Sequence, residues 1–300
     1  MAHRELPLPP HFSPDKTREI WKVPYQERAE EAGNWARQYA IRPAGDDNFR
    51  ICLVVIDVQN TFCIPDFELY VAGRSGTGAV DDSRRLSAFI YRNLDVITQI
   101  VPTMDTHLTM QIFHPLSLIN NKGEHPAPFT MVSVEDAEKG IWKFNPALFF
   151  SLQIDEAFGK NHLLLYTRKL RDGGKYDLTI WPFHGMLGGI GHALVASVEE
   201  AIFFHGIARY SQPDFYIKGD RPFTEHYSVL GPEVLEGPGG EPIGQKSERL
   251  FKKLCEFDAV ASAGQAKSHC VAWTIDDLLQ TIRNRDRSLV EKVYLIEDCT

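Results

Sequence analysis

The sequence predicts an α/β protein built on a parallel sheet, with an N-terminal arm over residues 1–50 and one domain over 51–300 that carries a long insertion at about 108–180. Three observations predict it. The run Ile51–Val58 is nearly continuous Ile, Leu and Val, as expected of a strand buried on both faces. From residue 193 onward, strand-like and helix-like stretches alternate, which is the pattern of right-handed βαβ units. Finally, 300 residues with 43% hydrophobic content fill a single core of nearly the largest usual size.

The arm is polar, carries the pair Pro9-Pro10 and holds one helix over Tyr25–Tyr39. The first strand then runs to Asp57, at its tip. A helix follows at about Ser83–Thr98 and a second strand at Gln99–Met104, whose far end meets Asp105 and His107. Within the insertion the apolar run His162–Thr167 reads as a strand, between polar turns at Asn120–Gly123 and Arg171–Lys175. The alternation resumes with helix Ala193–Arg209, strand Asp214–Lys218, a Gly/Pro-rich loop at 231–243 and helix Ser247–Phe257. Strand Ala259–Ala263, helix Ser268–Arg283 and strand Lys292–Ile296 complete it. Ligands of such sheets collect at the carboxyl ends of the strands, where Asp57, Asp105, Lys218 and the turn before Cys270 all fall.

A net charge of -8 and a sequence pI near 5.8 argue against nucleic acid and anionic membrane as partners, because clustered Lys and Arg hold both. A small molecule fits better. No apolar run reaches the roughly 18 to 20 residues of a membrane span, and the first fifty residues form no secretory core, so a cytoplasmic protein is expected. Cys52, Cys63, Cys255, Cys270 and Cys299 are odd in number and scattered, and read as thiols.

Gly264-Gln265-Ala266-Lys267-Ser268-His269-Cys270 joins an apolar strand to an amphipathic helix, placing Cys270 in the first helical turn. There unpaired backbone N–H groups and the helix dipole stabilise a thiolate and can cradle an oxyanion. Taken singly, Cys270 reads as a core cysteine, Asp57 as a turn aspartate and Lys218 as a solvated lysine. A second constellation is Asp105-Thr106-His107, with His114 and later Trp181-Pro182-Phe183-His184. An Asp and a His two apart on a strand tip face one way, and with another imidazole they make an N/O set suited to zinc, iron or manganese. Met186–Gly191 is Gly-rich but lacks the preceding buried strand and the Lys-Ser/Thr ending of a phosphate loop.

Taken in order, the motifs resemble the nicotinamidase/isochorismatase-like cysteine hydrolases over about residues 50–300. Asp57-Val-Gln-Asn-Thr-Phe62 resembles the family's Asp-x-Gln-x-Asp-Phe, Lys218-Gly219-Asp220 with Tyr227-Ser228 resembles its lysine loop, and Gly264–Cys270 resembles Gly-x-Ala-Thr-Asp-x-Cys. The resemblance implies the family's three-layer α/β/α isochorismatase-like fold and catalysis by Asp57, Lys218 and Cys270. It further implies an oxyanion hole from the N–H groups of Ala266 and Cys270, and a cis peptide before Ala266. By the same resemblance Asp105, His107 and His184 hold a divalent metal, zinc before iron or manganese, with His114 as a fourth ligand and His125 a lesser rival; Phe62 and Trp181 stack a flat amide. The implied reaction is hydrolysis of a small carboxamide, nicotinamide to nicotinate and ammonia, as in NAD salvage, through a Cys270 thioester. Another small substrate, cleaved by isochorismatase-type or N-carbamoyl chemistry, and a catalytically silent member of the fold are the alternatives. Thr61 replaces the family's Asp, Lys267-Ser268 replaces Thr-Asp, the stretch from Asp105 to Trp181 is several times longer, and relatives usually add a helix and strand after the last one here. The insertion is expected to form a lid or an oligomer contact, in a homo-oligomer.

Overall fold

A computed structural model of the chain describes residues 5–285 and 287–300; residues 1–4 of the expected arm lie outside that set. Five parallel strands form the central sheet: β1 (Ile51–Ile56), β2 (Ile97–Asp105), β3 (Tyr216–Lys218), β4 (Ala259–Gly264) and β5 (Val293–Leu295), in the spatial order β3-β2-β1-β4-β5. Helices cover both faces, so the fold is the expected layered α/β arrangement. α1 (Tyr25–Tyr39), α2 (Gly78–Arg92) and α4 (Ala196–Arg209) pack on one side, with α5 (Glu248–Cys255) and α6 (Ala272–Arg285) on the other; α3 (Glu156–Asp172) belongs to the insertion. The period-2 geometry of a strand explains how β1 serves both layers. Leu53 and Val55 enter the core beneath α2 and α4, while Cys52, Val54 and Ile56 enter the core beneath α5 and α6.

Before the sheet, Leu6 is buried and its N–H donates to the Arg92 carbonyl at 2.9 Å, while Arg28 of α1 donates to Glu200 of α4 at 2.7 Å. Residues of the 108–180 segment, including Phe113, Leu118, Val132, Leu163 and Tyr166, gather with Val234 and Ile243 into a separate core. All five cysteines are free. No helix among the described residues is long and apolar enough to cross a membrane.

The structure corrects one element and trims others. His162–Thr167 is not a strand but the middle of α3. The uninterrupted Leu163-Leu164-Leu165-Tyr166 run conceals a helical period, seen in the buried positions 159, 162, 163, 166, 167 and 170, and Asp155 caps the start by accepting from the Phe158 N–H at 2.7 Å. The helix expected at 83–98 starts five and ends six residues earlier, because β2 starts at Ile97. Ser268–Arg283 is not one α-helix: Lys267–Val271 forms a π-turn, closed by the Val271 N–H donating to the Ala266 carbonyl at 3.2 Å, and α6 starts after it. Cys270 therefore sits in that turn and not in the first turn of an α-helix.

Candidate active site and metal centre

Strand register brings the polar groups together. Asp105 closes β2 directly opposite Lys218, which closes β3, and Ile56 lies opposite Gly264, so the residues following β1 and β4 leave the sheet side by side. Gly264 has φ +129°, and a Cβ there would fall 2.0 Å from the Ile56 carbonyl oxygen; only glycine permits this approach. The next peptide, Gln265–Ala266, is cis, as expected from the motif.

Asp57 is fully buried just past β1, with φ +48°, a conformation that non-glycine residues adopt mainly where the surroundings enforce it. Thr103 enforces it here: its hydroxyl accepts from the Asp57 N–H at 3.1 Å and donates to the carboxylate Oδ1 at 2.5 Å. The other oxygen faces Lys218 Nζ at 3.0 Å. The same ammonium donates to Asp105 Oδ1 at 2.8 Å and to the His226 carbonyl at 2.8 Å, and lies 3.6 Å from Cys270 Sγ. One atom each of Asp57, Asp105 and Cys270 fall within 4.8 Å of one another. The structure thus brings Asp57, Lys218 and Cys270 into one buried group.

Electrostatics assigns the protons. Burial opposes the Lys218 charge, but attraction to Asp105, Asp57 and Cys270 outweighs it and lifts the pKa well above the usual lysine value. Burial raises Asp57, with the nearby Asp105 charge adding to it and Lys218 and Thr103 opposing. Cys270 is likewise pushed well up by burial, only partly offset by Lys218. The thiolate stabilisation expected of a helix N-terminus is therefore not what this setting supplies: burial and the two nearby carboxylates favour the neutral thiol, beside a carboxylate placed to take its proton.

A second group adjoins through Asp105. His107 Nε2 lies 2.9 Å and His184 Nε2 3.7 Å from Asp105 Oδ2, and ligand atoms of all three buried residues fall within 4.8 Å of one another. The three histidines nearby each bond a backbone carbonyl through Nδ1: His107 to Gly219 at 3.1 Å, His184 to Pro182 at 2.8 Å and His114 to Thr109 at 3.2 Å. A carbonyl only accepts, so each Nδ1 carries the proton and Nε2 is the nitrogen left to bind a cation. Burial lowers His184, and lowers His114 to about 3, which suits neutral ligands; burial also opposes charge on His107, but the Asp105 carboxylate raises it. Burial works against ionised Asp105, yet His107 and Lys218 hold it well below the usual carboxylate range. Asp105, His107 and His184 could therefore hold a divalent metal. His114 stands farther off, its ring 5.9 Å from His107 and 6.3 Å from His184, although its Nε2 is buried without a protein partner. His125 is exposed, bonded to the Leu118 carbonyl at 2.8 Å.

Above both groups lies a cavity of about 240 Å³. Phe62, Trp181, Tyr227 and His269 supply aromatic walls, and Ala266, Cys270, Asp105 and His184 also line it. Several lining or supporting residues carried no readable assignment in the sequence. Gln59 is one: its amide donates to the Asp105 and His192 carbonyls at 2.9 Å each, and its oxygen accepts from the Asp105 N–H at 2.7 Å. Its place inside Asp-Val-Gln was the available signal. Glu225, raised by burial to about 7, faces the cavity with no sequence signal beyond its position after Lys218.

No family model and no curated protein matches the sequence. Among solved structures the chain is similar to a nicotinamidase/pyrazinamidase of Acinetobacter baumanii, at 19% identity over 85% of each chain with a TM-score of 0.46. It is similar to the yeast nicotinamidase bound to the inhibitor nicotinaldehyde, at 18% identity over 77% of this chain and 82% of that one, with a TM-score of 0.46. An N-carbamoylsarcosine amidase of Thermoplasma acidophilum is similar at 14% identity over 84% of each chain, with a TM-score of 0.36.

Proposed function

We propose that this chain is a metal-containing cysteine amidohydrolase of the nicotinamidase/isochorismatase-like kind, acting on a small flat carboxamide such as nicotinamide. The observation that carries it is the Lys218 ammonium, 3.0 Å from Asp57 and 3.6 Å from Cys270, a residue lining an aromatic-walled cavity. Asp57 takes the Cys270 proton as sulfur bonds to the amide carbon, and the Lys218 ammonium offsets the one negative charge as it passes from Asp57 to the reacting group in a dry site. The carbonyl electrons move onto oxygen, which the N–H groups of Ala266 and Cys270 receive. As the C–N bond breaks, Asp57 returns its proton to nitrogen and ammonia leaves a Cys270 thioester. A water then gives its proton to Asp57 and adds to the thioester carbon; the C–S bond breaks, sulfur regains the proton and the acid departs.

Asp105, His107 and His184 would hold the metal, with His114 near it, and the metal would supply a Lewis-acid site for a ring nitrogen. Phe62 and Trp181 would flank the ring. The buried Asp/His/His set favours this reading over isochorismatase-type or N-carbamoyl cleavage, which do not call for such a set. The test is ammonia release from a panel of carboxamides. Heteroaromatic amides are expected to turn over and the Cys270→Ala variant is expected to be inactive; ammonia release by that variant at the wild-type rate would end the proposal.

A further inference from the structure

The insertion reaches the nucleophile turn through two consecutive residues. After α3 the chain turns at Gly173-Gly174, with Gly174 at φ +64°, and delivers Lys175 and Tyr176 onto the start of α6. Lys175 Nζ lies 3.7 Å above the Trp273 ring and 3.3 Å from the buried Glu233 carboxylate. The Tyr176 hydroxyl donates to the Ser268 carbonyl at 3.0 Å, and its ring lies against His269, centroids 4.9 Å apart and planes at 35°.

The Ser268–His269 peptide is thus held at both ends. Its N–H donates to the Ala266 carbonyl at 3.0 Å, inside the turn, while its C=O is held from outside by Tyr176. A π-turn has poorer internal hydrogen bonding than an α-helix, so its shape depends more on such outside anchors. Here the anchored peptide lies between Ala266 and Cys270, the two residues whose N–H groups must converge on one oxyanion.

We infer that Tyr176 is a positioning residue: the insertion serves to fix the Ser268–Cys270 turn, and with it the nucleophile and the oxyanion donors, through the Tyr176 hydroxyl. The kinetic consequence rests on the amidase reading above; the positioning itself does not.

The experiment compares wild-type protein with Tyr176→Phe, which keeps the ring on His269 and loses the hydroxyl, and Tyr176→Ala, which loses both. Iodoacetamide labelling at pH 8 is followed at each cysteine by peptide mass spectrometry, beside amide turnover. In Tyr176→Phe, Cys270 labelling is expected to rise about fivefold, the factor one net hydrogen bond supplies, with the buried Cys52 and Cys63 unchanged. kcat is expected to fall by a similar factor with KM within about twofold, since the turn acts on the transition state. Tyr176→Ala should exceed Tyr176→Phe in both readouts. Unchanged Cys270 labelling in both variants overturns the inference, and so does an equal rise at Cys52 and Cys63, which signals general loosening. Faster Cys270 labelling in a protein whose wild type hydrolyses no amide supports the positioning and overturns the amidase reading.

Discussion

The Lys218 ammonium and the Asp105 carboxylate meet at 2.8 Å because their strands end in register, and the remaining oxygen of Asp105 faces His107 at 2.9 Å. One carboxylate thus belongs to both the proton-transfer group and the candidate metal group. Gly219, next to Lys218, makes room for this: a Cβ there would fall 2.8 Å from Asp105 Oδ1 and 2.9 Å from His107 Cε1.

Removing the ammonium leaves the buried Asp57 carboxylate without its counter-charge, while Asp105 keeps His107. Lys218→Met is expected to abolish amide hydrolysis and to cost about 3–5 kcal/mol of stability at pH 7, measured by urea denaturation. Without Lys218, burial and the nearby Asp105 charge raise the folded pKa of Asp57 further above the unfolded value of about 4, while His107 still holds Asp105 down. Stability from such a raised group is complete below the unfolded pKa and is lost as pH rises through the folded one, so the deficit of the variant should widen between pH 5 and pH 8. A deficit independent of pH would contradict this account.

Thr103 orients the proposed base. Thr103→Val keeps the shape and removes both hydroxyl bonds to Asp57. A hydrogen bond to a charged group contributes about 1.5–3 kcal/mol, so kcat is expected to fall at least tenfold. Asp57→Asn, which removes the base itself, should cost about 10²–10⁴-fold. Steady-state kinetics on one amide substrate decides between them; equal losses would mean that Thr103 does more than orient Asp57.

Cys270, buried and held well above the usual thiol pKa, should resist alkylation at neutral pH. The sign follows from the raised value: the neutral thiol is the form compatible with burial, so its contribution to stability is complete below the unfolded thiol pKa of about 8.5 and is lost as pH rises through the folded one. Labelling of the Cys270 peptide should therefore lag a free thiol at pH 7 and accelerate steeply above pH 9. Labelling at pH 7 faster than a free thiol would show that the resting group is a thiolate.

Much of this was legible in the residues because it depends on local pattern. The Ile51–Val58 run marked the central strand, and its alternate side chains do feed the two cores. The motif positions around Asp57, Lys218 and Cys270 converged because parallel strands put their carboxyl ends on one rim, which sequence order and alternation alone imply. What stayed hidden depends on long-range surroundings. Leu163-Leu164-Leu165 is the same run whether it lies in a helix or a strand, and the capping role of Asp155 settles it only once the chain is folded. Proton positions were equally hidden: burial of Cys270 between two carboxylates reverses the expectation drawn from a helix N-terminus. Tyr176, in a stretch that read as part of an insertion, gave no sign of meeting Ser268 nearly a hundred residues later.

The histidines predict how metal binding should divide. Asp105, His107 and His184 offer three atoms within 4.8 Å of one another, a set that His114 does not join, and its ring centroid lies 5.9 Å and 6.3 Å from those of His107 and His184, which are 4.5 Å apart. A group that must move to bind contributes less than one already in place, because binding then has to meet the cost of ordering it. His184→Ala is accordingly expected to leave the protein with little metal after dialysis, measured by inductively coupled plasma mass spectrometry. His114→Ala should retain metal with affinity lowered by about 10–100-fold, the range typical of groups that support a site from its edge. Competition with a chromophoric chelator separates the two. Equal loss of metal in both variants would make His114 a full ligand, and retention in both would move the metal away from Asp105, His107 and His184 altogether.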